Sequence, residues 1–274
     1  MVTLDQLRRF SAHIGADPLL VQAAGGNTSL KQDGVMWIKA SGTWLRDAEA
    51  TNIFVPIGHA RLMAALAQGD TACETCTDFI CSSVTSGGLR PSIETTVHAL
   101  LPQRIVVHVH CVNTIAWAIQ GDAELLIGGK LAGFNWAFIP YAMPGLSLAG
   151  AIAKRLRPEV DVLVLGNHGL VVAAETVEAA ESLLKRVVSA LRRPVREAIA
   201  PDHSALAAAC AGTYYAPASS DETHALATDG PALAHGANAV FYPDHVVFLG
   251  VGVATGMADG APLVALAGKG AVVR

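Results

Sequence analysis

Residues 104–111 form a mostly apolar run, Arg-Ile-Val-Val-His-Val-His-Cys, with two histidines two positions apart. In a β-strand the side chains alternate between two faces, so His108 and His110 share one face and the valine between them takes the other. Neutral imidazole is a common ligand for zinc and similar ions. A catalytic zinc needs about three protein ligands and an open position. The run therefore predicts a strand with a pair of metal ligands, and a third ligand is expected elsewhere.

The candidate third ligand is His168, in the sequence Gly166-Asn167-His168-Gly169. It follows the apolar run 160–165, which predicts a buried strand. Glycines on both sides leave a backbone that other groups can approach closely. The alternative interpretation is three unrelated core histidines.

The composition favours a compact domain that acts on a small molecule. Hydrophobic residues make up 52% of the 274 residues and charged residues 15%, far from the composition of a disordered chain. The formal net charge is −4 and no run of Lys or Arg occurs, so the sequence lacks the basic patch typical of nucleic-acid binding.

The sequence gives no sign of secretion or of a membrane span. Residues 1–9 lack the apolar core of a secretory signal, which favours the cytoplasm. Residues 131–153 carry no formal charge, but Asn135, Pro140 and Pro144 interrupt them, so buried structure is predicted. Cys73 and Cys76 form a CxxC without a second CxxC to complete a zinc site. A reduced helical pair is the main interpretation, and a metal or redox role the alternative.

Hydrophobic periodicity predicts alternating helices and strands, with Thr3 as the N-cap of the first helix. After Arg193 the composition shifts to Ala, Ser, Thr and Pro, so a boundary is predicted near residue 200. His245 follows a Pro-Asp turn and is interpreted as structural or surface-exposed, with a role in orienting substrate as the alternative. The predicted helices cover 3–15, 113–120, 149–156 and 176–191, with a helix-rich stretch at 57–85; the predicted strands cover 35–40, 160–165, 171–174, 239–249 and 263–265.

Two small polar clusters beside neighbouring strands form a candidate anion site. Residues 25–30 read Gly-Gly-Asn-Thr-Ser-Leu, and Ser41-Gly42-Thr43 follows the strand predicted at 35–40. Their hydroxyls, amide and backbone N–H groups could hold an oxyanion, although ordinary hairpin turns would use the same residues. Lys39 favours the anion site.

The stretch Pro91-Ser92-Ile93-Glu94 predicts the start of a helix, with Ser92 as N-cap and Glu94 in the first turn. A glutamate at that position is often only a favourable partner of the helix dipole. Its neighbours in space decide whether it has a further role.

Taken in order, these stretches resemble the class II aldolase/adducin family over roughly residues 5–195. The resemblance implies an α/β three-layer sandwich with a mainly antiparallel central sheet flanked by helices, followed by a short C-terminal appendage. It also implies a homotetramer with active sites between subunits. Five elements carry it: Gly26-Asn27-Thr28-Ser29, Ser41-Gly42, Pro91 to Glu94, the His-x-His of 108 and 110, and the Asn-His-Gly of 167–169.

The resemblance also implies roles for individual residues. His108, His110 and His168 correspond to the ligands of Zn²⁺, or of another divalent metal such as Mn²⁺ or Co²⁺, and Glu94 corresponds to the acid/base. Ile93 stands where sugar-phosphate aldolases often have a second serine. Loss of such a donor from a buried anion site costs about 1–3 kcal/mol. The residues that correspond to the phosphate pocket are Asn27, Thr28, Ser41, Gly42 and Ser92, with Thr43 as a lesser candidate.

The implied function is that of a metal-dependent aldolase that cleaves a ketose, expected to be a sugar 1-phosphate, through an enediolate. The closest resemblance is to the aldolase half of bifunctional rhamnulose-1-phosphate aldolase/dehydrogenase proteins. Alternatives are a sugar-phosphate 4-epimerase, a dehydratase or decarboxylase, and a non-catalytic adducin-like scaffold. Residues 1–200 are expected to form the catalytic domain, and residues 201–274 an extension packed on the core.

Overall fold

The computed structural model describes residues 2–81, 87–257 and 260–274. The chain divides into two compact units, one ending at Arg193 and the other beginning at Pro194. The sequence placed this boundary near residue 200. The catalytic role of the first unit and the packing of the second on it stay predictions.

A seven-stranded sheet forms the centre of the first unit. Its strands are β1 (Asn27–Gln32), β2 (Val35–Lys39), β3 (Phe54–Gly58), β4 (Ile105–Val109), β5 (Trp136–Ile139), β6 (Val162–Leu165) and β7 (Gly169–Ala174). They lie in the order β3-β2-β1-β4-β7-β6-β5, and every neighbouring pair is antiparallel except β5 and β6. This order places β4 and β7 side by side, so the two histidine segments become neighbours.

Helices cover both faces of the sheet. They are α1 (Leu4–Gly15), α2 (His59–Gln68), α3 (Thr95–Leu100), α4 (Val112–Ala118), α5 (Ala123–Lys130), α6 (Leu146–Ala153) and α7 (Val177–Ala190). Leu7 of α1 and Val187 of α7 share a buried cluster with Val107, whereas α6 packs on the face that carries Val106. The predicted three-layer α/β fold with a mainly antiparallel sheet is therefore confirmed.

The first helix begins where the sequence predicted. The Thr3 side chain accepts a hydrogen bond from the Gln6 backbone N–H, and the Gln6 side chain accepts one from the Thr3 backbone N–H. This capping box satisfies two N–H groups that have no partner within the helix. Leu7, Phe10 and Ile14 recur at helical spacing and are buried. The amphipathic pattern thus holds α1 against the sheet.

Two local predictions were wrong. Glu94, not Ser92, is the N-cap of α3, and the Ser92 Oγ accepts the Glu94 backbone N–H at 3.2 Å in a turn before the helix. The run 239–249 is not a strand, because Pro243–Leu249 forms a helix. Proline is well suited to the first helical position, where its missing N–H costs nothing.

In its described residues, the second unit combines four helices with a small antiparallel sheet. Its helices are α8 (His203–Cys210), α9 (Asp221–Thr228), α10 (Gly230–Asn238) and α11 (Pro243–Leu249), and its strands β8 (Ala216–Pro217), β9 (Leu263–Leu266) and β10 (Gly270–Val273) pair in the order β8-β10-β9. The buried His245 Nδ1 accepts the Phe241 backbone N–H at 3.1 Å, which is a structural contact.

Residues 71–79 of the predicted helix-rich stretch form short 3₁₀ turns, and residues 82–86 lie outside the described part of the chain. Cys73 and Cys76 are both buried there, and the Cys76 thiol donates to the Cys73 carbonyl at 3.2 Å. Burial, and then the nearby Cys73, raise the pKa of Cys76 to about 12. A group that resists ionisation in this way is a poor metal ligand. No helix in the described ranges is long and apolar enough to span a bilayer.

Candidate active site

Strand β4 presents the first two predicted ligands. His108 lies in the strand and His110 follows its end, and both are buried. The His108 Nδ1–H donates to the Leu170 carbonyl on β7 at 3.1 Å. This bond leaves the His108 Nε2 lone pair to face the His110 Nε2, 3.0 Å away. A backbone acceptor on one ring nitrogen is the usual way in which proteins orient a metal-binding histidine.

The turn between β6 and β7 brings His168 to the same point. The His168 ring centroid lies 4.9 Å from that of His108 and 5.2 Å from that of His110. The next residue must be glycine, because a Cβ at Gly169 would lie 2.5 Å from the Val109 carbonyl oxygen and 3.1 Å from the His108 Cε1. The third predicted ligand, from a distant part of the sequence, thus converges with the first two.

Glu94 lies against these rings. Its Oε2 is 3.3 Å from the His108 Nε2, and its Oε1 is 3.3 Å from the His168 Nε2. The potential ligand atoms of Glu94 and the three histidines all lie within 4.8 Å of one another. A tetrahedral zinc site with bonds of ~2.0–2.1 Å has ligand-to-ligand edges of roughly 3.3 Å. The observed separations of 3.0 and 3.3 Å therefore suit a metal ion of that size.

The electrostatics of the cluster also suit a cation. Burial, and then His110 and His168, hold the pKa of His108 well below its usual range, so this ring is neutral and can act as a ligand. The Glu94 Oε1 is buried and accepts no hydrogen bond from the described residues. A buried carboxylate oxygen without a hydrogen bond is costly. A cation at the centre of the cluster would remove that cost.

Two residues of the predicted phosphate pocket adjoin Glu94. The Asn27 Nδ2 donates to the Glu94 Oε2 at 2.8 Å and to the Ser92 Oγ at 3.2 Å. Asn27 pairs with His108 across β1 and β4, so both side chains lie on one face of the sheet. Ser92 accepts the Glu94 backbone N–H as well, which leaves its hydroxyl hydrogen available to a ligand.

The other predicted pocket residues differ in position. The Thr28 side chain lies on the opposite face of the sheet from Asn27, where its Oγ1 is 2.7 Å from the Ser11 Oγ of α1. It therefore lies outside the predicted pocket. Ser41 and Gly42 are exposed and adjoin the 90–92 segment, because the Ser41 N–H donates to the Arg90 carbonyl at 2.9 Å. Thr43 donates its hydroxyl to the Ala40 carbonyl at 2.8 Å.

Lys39, at the end of β2, places an ammonium group in the same region. Its side chain is 2% exposed, and its Nζ donates to the Ala24 carbonyl at 2.9 Å. Burial lowers its pKa to about 8, against the opposing effect of the Glu94 charge. The lysine ammonium and the glutamate carboxylate are thus close enough to influence each other. Burying a charged ammonium group costs folding free energy, and buried ionisable groups with shifted pKa values are concentrated at functional sites.

Replacing Lys39 with methionine is expected to stabilise the fold at pH 7. The Lys39 pKa falls from 10.5 in the unfolded chain to about 8 in the folded one. The unfolded state therefore binds more protons between these values, so the stability of the parent increases as pH rises through them, and the full cost is present below pH 8. That cost is about 3 kcal/mol. Loss of the hydrogen bond to Ala24 removes about 1 kcal/mol of the gain.

Urea unfolding at pH 7 should show Lys39→Met to be more stable than the parent by about 2 kcal/mol. The advantage should disappear above pH 10.5, the ordinary lysine pKa. The exposed Lys154→Met is the matched control and should change little. A Lys39→Met variant that is less stable than the parent at pH 7 would contradict the assignment of a costly buried charge.

Sequence reasoning missed His98, which is fully buried behind Asn27. Its Nε2 is hydrogen-bonded to the Asn27 Oδ1, and its Nδ1 lies 2.7 Å from the Ser29 Oγ. The available signal was its spacing: His98 follows Glu94 by four residues at the start of a helix, so both belong on the same side of it.

The chain is similar to several known proteins. Residues 11–193 match the family model described as Class II Aldolase and Adducin N-terminal domain. The N-terminal class II aldolase domain of a conserved protein from Thermoplasma acidophilum has a TM-score of 0.61 and 27% identity, over 69% of this chain and 91% of that one. YgbL from Klebsiella pneumoniae, described as "a putative aldolase/epimerase/decarboxylase", has a TM-score of 0.52 and 22% identity, over 70% of this chain and 89% of that one. The latter similarity concerns the fold alone.

A third similar protein is much longer. The Bacillus subtilis (strain 168) protein described as "Uncharacterized oxidoreductase YuxG" is 31% identical over 179 residues, which are 60% of this chain and 25% of that protein. The chain thus spans a quarter of YuxG. The family model covers most of the first compact unit, including Glu94 and all three histidines. The chain therefore belongs to the class II aldolase/adducin family.

Proposed function

We propose that this protein is a metal-dependent aldolase that cleaves a ketose to a dihydroxyacetone-type donor and an aldehyde. The proposed ketose is a sugar 1-phosphate. The observation that supports this most is the convergence of His108, His110 and His168 around the Glu94 carboxylate. Three neutral ligands would leave a divalent cation with its full charge, and that charge would stabilise the buried Glu94 Oε1, which accepts no hydrogen bond from the described residues.

Glu94 is the residue that we assign to proton transfer. In the synthetic direction its carboxylate would remove a proton from the donor carbon to give the enediolate, and in the cleavage direction it would return that proton. A divalent ion held by the histidines, Zn²⁺ or alternatively Mn²⁺ or Co²⁺, would supply Lewis-acid stabilisation of the enediolate charge. Lys39 adds a second positive charge near the carboxylate. Both cations favour an anionic substrate.

The phosphate assignment rests on three residues at one edge of the cluster. Ser92 has a hydroxyl hydrogen to donate. Ser41 and Gly42 form an exposed turn that is hydrogen-bonded to the segment 90–92. Asn27 is engaged with Glu94, so we assign it to orient the carboxylate. Ile93 is 54% exposed beside these groups and cannot donate a hydrogen bond. The proposed pocket therefore binds phosphate with fewer side-chain donors than the resemblance implies.

The experiment is a screen of ketose 1-phosphates and unphosphorylated ketoses for aldehyde release. We expect release from a phosphorylated ketose, loss of activity after chelation, and recovery on adding Zn²⁺, Mn²⁺ or Co²⁺. Inversion at C4 without free aldehyde would identify the 4-epimerase alternative, which shares the retro-aldol step. A protein that binds no divalent metal and converts none of these compounds would overturn the proposal and favour the adducin-like scaffold. The resemblance further leads us to propose a homotetramer.

A further inference from the structure

Three buried side chains form a hydrogen-bonded row behind Glu94, here named the Ser29–His98–Asn27 row. The Ser29 Oγ lies 2.7 Å from the His98 Nδ1, and the His98 Nε2 is hydrogen-bonded to the Asn27 Oδ1. The Asn27 Nδ2 then donates to the Glu94 Oε2 at 2.8 Å. All three side chains are buried, so water does not compete for these bonds. The row ends on the carboxylate to which we assign proton transfer.

The partners determine the direction of each hydrogen bond. The Asn27 Nδ2 faces two acceptors, the Glu94 Oε2 and the Ser92 Oγ, so the nitrogen of the amide must be on that side. Its oxygen therefore faces His98, which must carry a hydrogen on Nε2. A neutral imidazole protonated at Nε2 is an acceptor at Nδ1, and it receives the Ser29 hydroxyl hydrogen there.

The fold keeps this row in place from two sides. Asn27 and Ser29 are two residues apart on β1, so they lie on one face of the sheet, and Asn27 pairs with His108. His98 reaches them from α3, whose first turn is joined to Glu94 by the hydrogen bond from the His98 N–H to the Glu94 carbonyl. The helix that carries Glu94 and the strand next to the histidines are thus connected at one point.

We propose that His98 is a positioning residue that acts on Glu94 through Asn27, and that Ser29 selects the required His98 tautomer. This inference rests on the proposed acid/base role of Glu94. Without a donor at its oxygen, the Asn27 amide is fixed at one end only, by the bonds from its Nδ2 to Glu94 and Ser92. The Asn27 side chain would then hold the Glu94 carboxylate less rigidly. Displacement of a reacting group by about 1 Å can cost on the order of 100-fold in rate.

The first test is independent of catalysis. In ¹⁵N-histidine NMR of the purified protein, His98 should show a hydrogen on Nε2 and none on Nδ1. The Ser29→Ala variant, which is smaller by one oxygen atom, should weaken this preference. A His98 ring that carries its hydrogen on Nδ1 in the parent protein, or a Ser29→Ala variant with an unchanged His98 spectrum, would overturn the proposal. This result does not depend on whether any ketose is a substrate.

The second test compares His98→Leu with His98→Gln. The glutamine amide can donate to the Asn27 oxygen, whereas leucine cannot. We expect His98→Leu to lower kcat by roughly 10- to 100-fold with KM and bound metal near the parental values, and His98→Gln to recover most of the loss. Equal kcat in both variants, or a loss of metal that accompanies the loss of kcat, would overturn the positioning role. If His98→Leu does not fold, the kcat of His98→Gln decides: recovery near the parental value supports the role, and a 100-fold loss contradicts it.

Discussion

The variant His108→Ala is expected to purify with little bound metal and with the proposed aldolase activity reduced by at least about 1,000-fold. Its imidazole has the central position of the cluster, 3.0 Å from the His110 Nε2 and 3.3 Å from the Glu94 Oε2. Removing it leaves only two of the three proposed histidine ligands, whereas a catalytic zinc has about three protein ligands. Because even residues that only orient a ligand contribute about 10- to 100-fold to metal affinity, loss of a ligand itself should cost more.

Metal content by elemental analysis, before and after incubation with Zn²⁺, measures this effect directly. Thermal unfolding without added metal separates ligand loss from failure to fold, since His108 is fully buried. His168→Ala is the second test, because this residue lies in a turn rather than in the central strand. The exposed His13→Ala is the matched control and should retain the parental metal content. A His108→Ala or His168→Ala variant with as much bound metal as the parent would show that the ligand assignment is wrong.

The part of this site that could be predicted from the sequence follows from short-range geometry. The period of two in a β-strand places His108 and His110 on one face whatever the rest of the fold. The glycine after His168 indicated a close approach of backbone, and the structure shows that approach to be with Val109. Convergence of the third ring could not be derived from spacing, because it depends on β4 and β7 being neighbours in the sheet. The family resemblance supplied that information.

The errors have equally specific causes. The same alternation rule applied to β1 separates Thr28 from Asn27 and Ser29, and it would have excluded Thr28 from the pocket. Ser92 was predicted as an N-cap from its residue type, but its Oγ accepts an N–H two residues on, before the helix begins. His98 was missed because its hydrogen bond to Asn27 joins α3 to β1, and the two residues are 71 positions apart in the sequence.

The second large effect is expected for Glu94→Gln. This change keeps the size of the side chain and removes its ability to take up a proton, so kcat should fall by about 100- to 10,000-fold. Bound metal should stay near the parental content, because the three histidine ligands are unchanged. The amide introduced by Glu94→Gln would keep an oxygen for the Asn27 Nδ2, so the local fold should survive. The measurement is kcat for ketose cleavage, beside metal content and thermal unfolding of the same preparation.

The matched control is Glu159→Gln, which removes an exposed glutamate paired with Arg157 at 3.0 Å. A surface ion pair of this kind contributes only about 0–1 kcal/mol, so kcat and metal content should not change. Near-parental cleavage by metal-loaded Glu94→Gln would move the acid/base role to another residue. Loss of metal in proportion to activity would instead assign Glu94 to the ligand set, where its 3.3 Å distances to His108 and His168 also allow it to act. Only retained metal with a large loss of kcat agrees with proton transfer by Glu94.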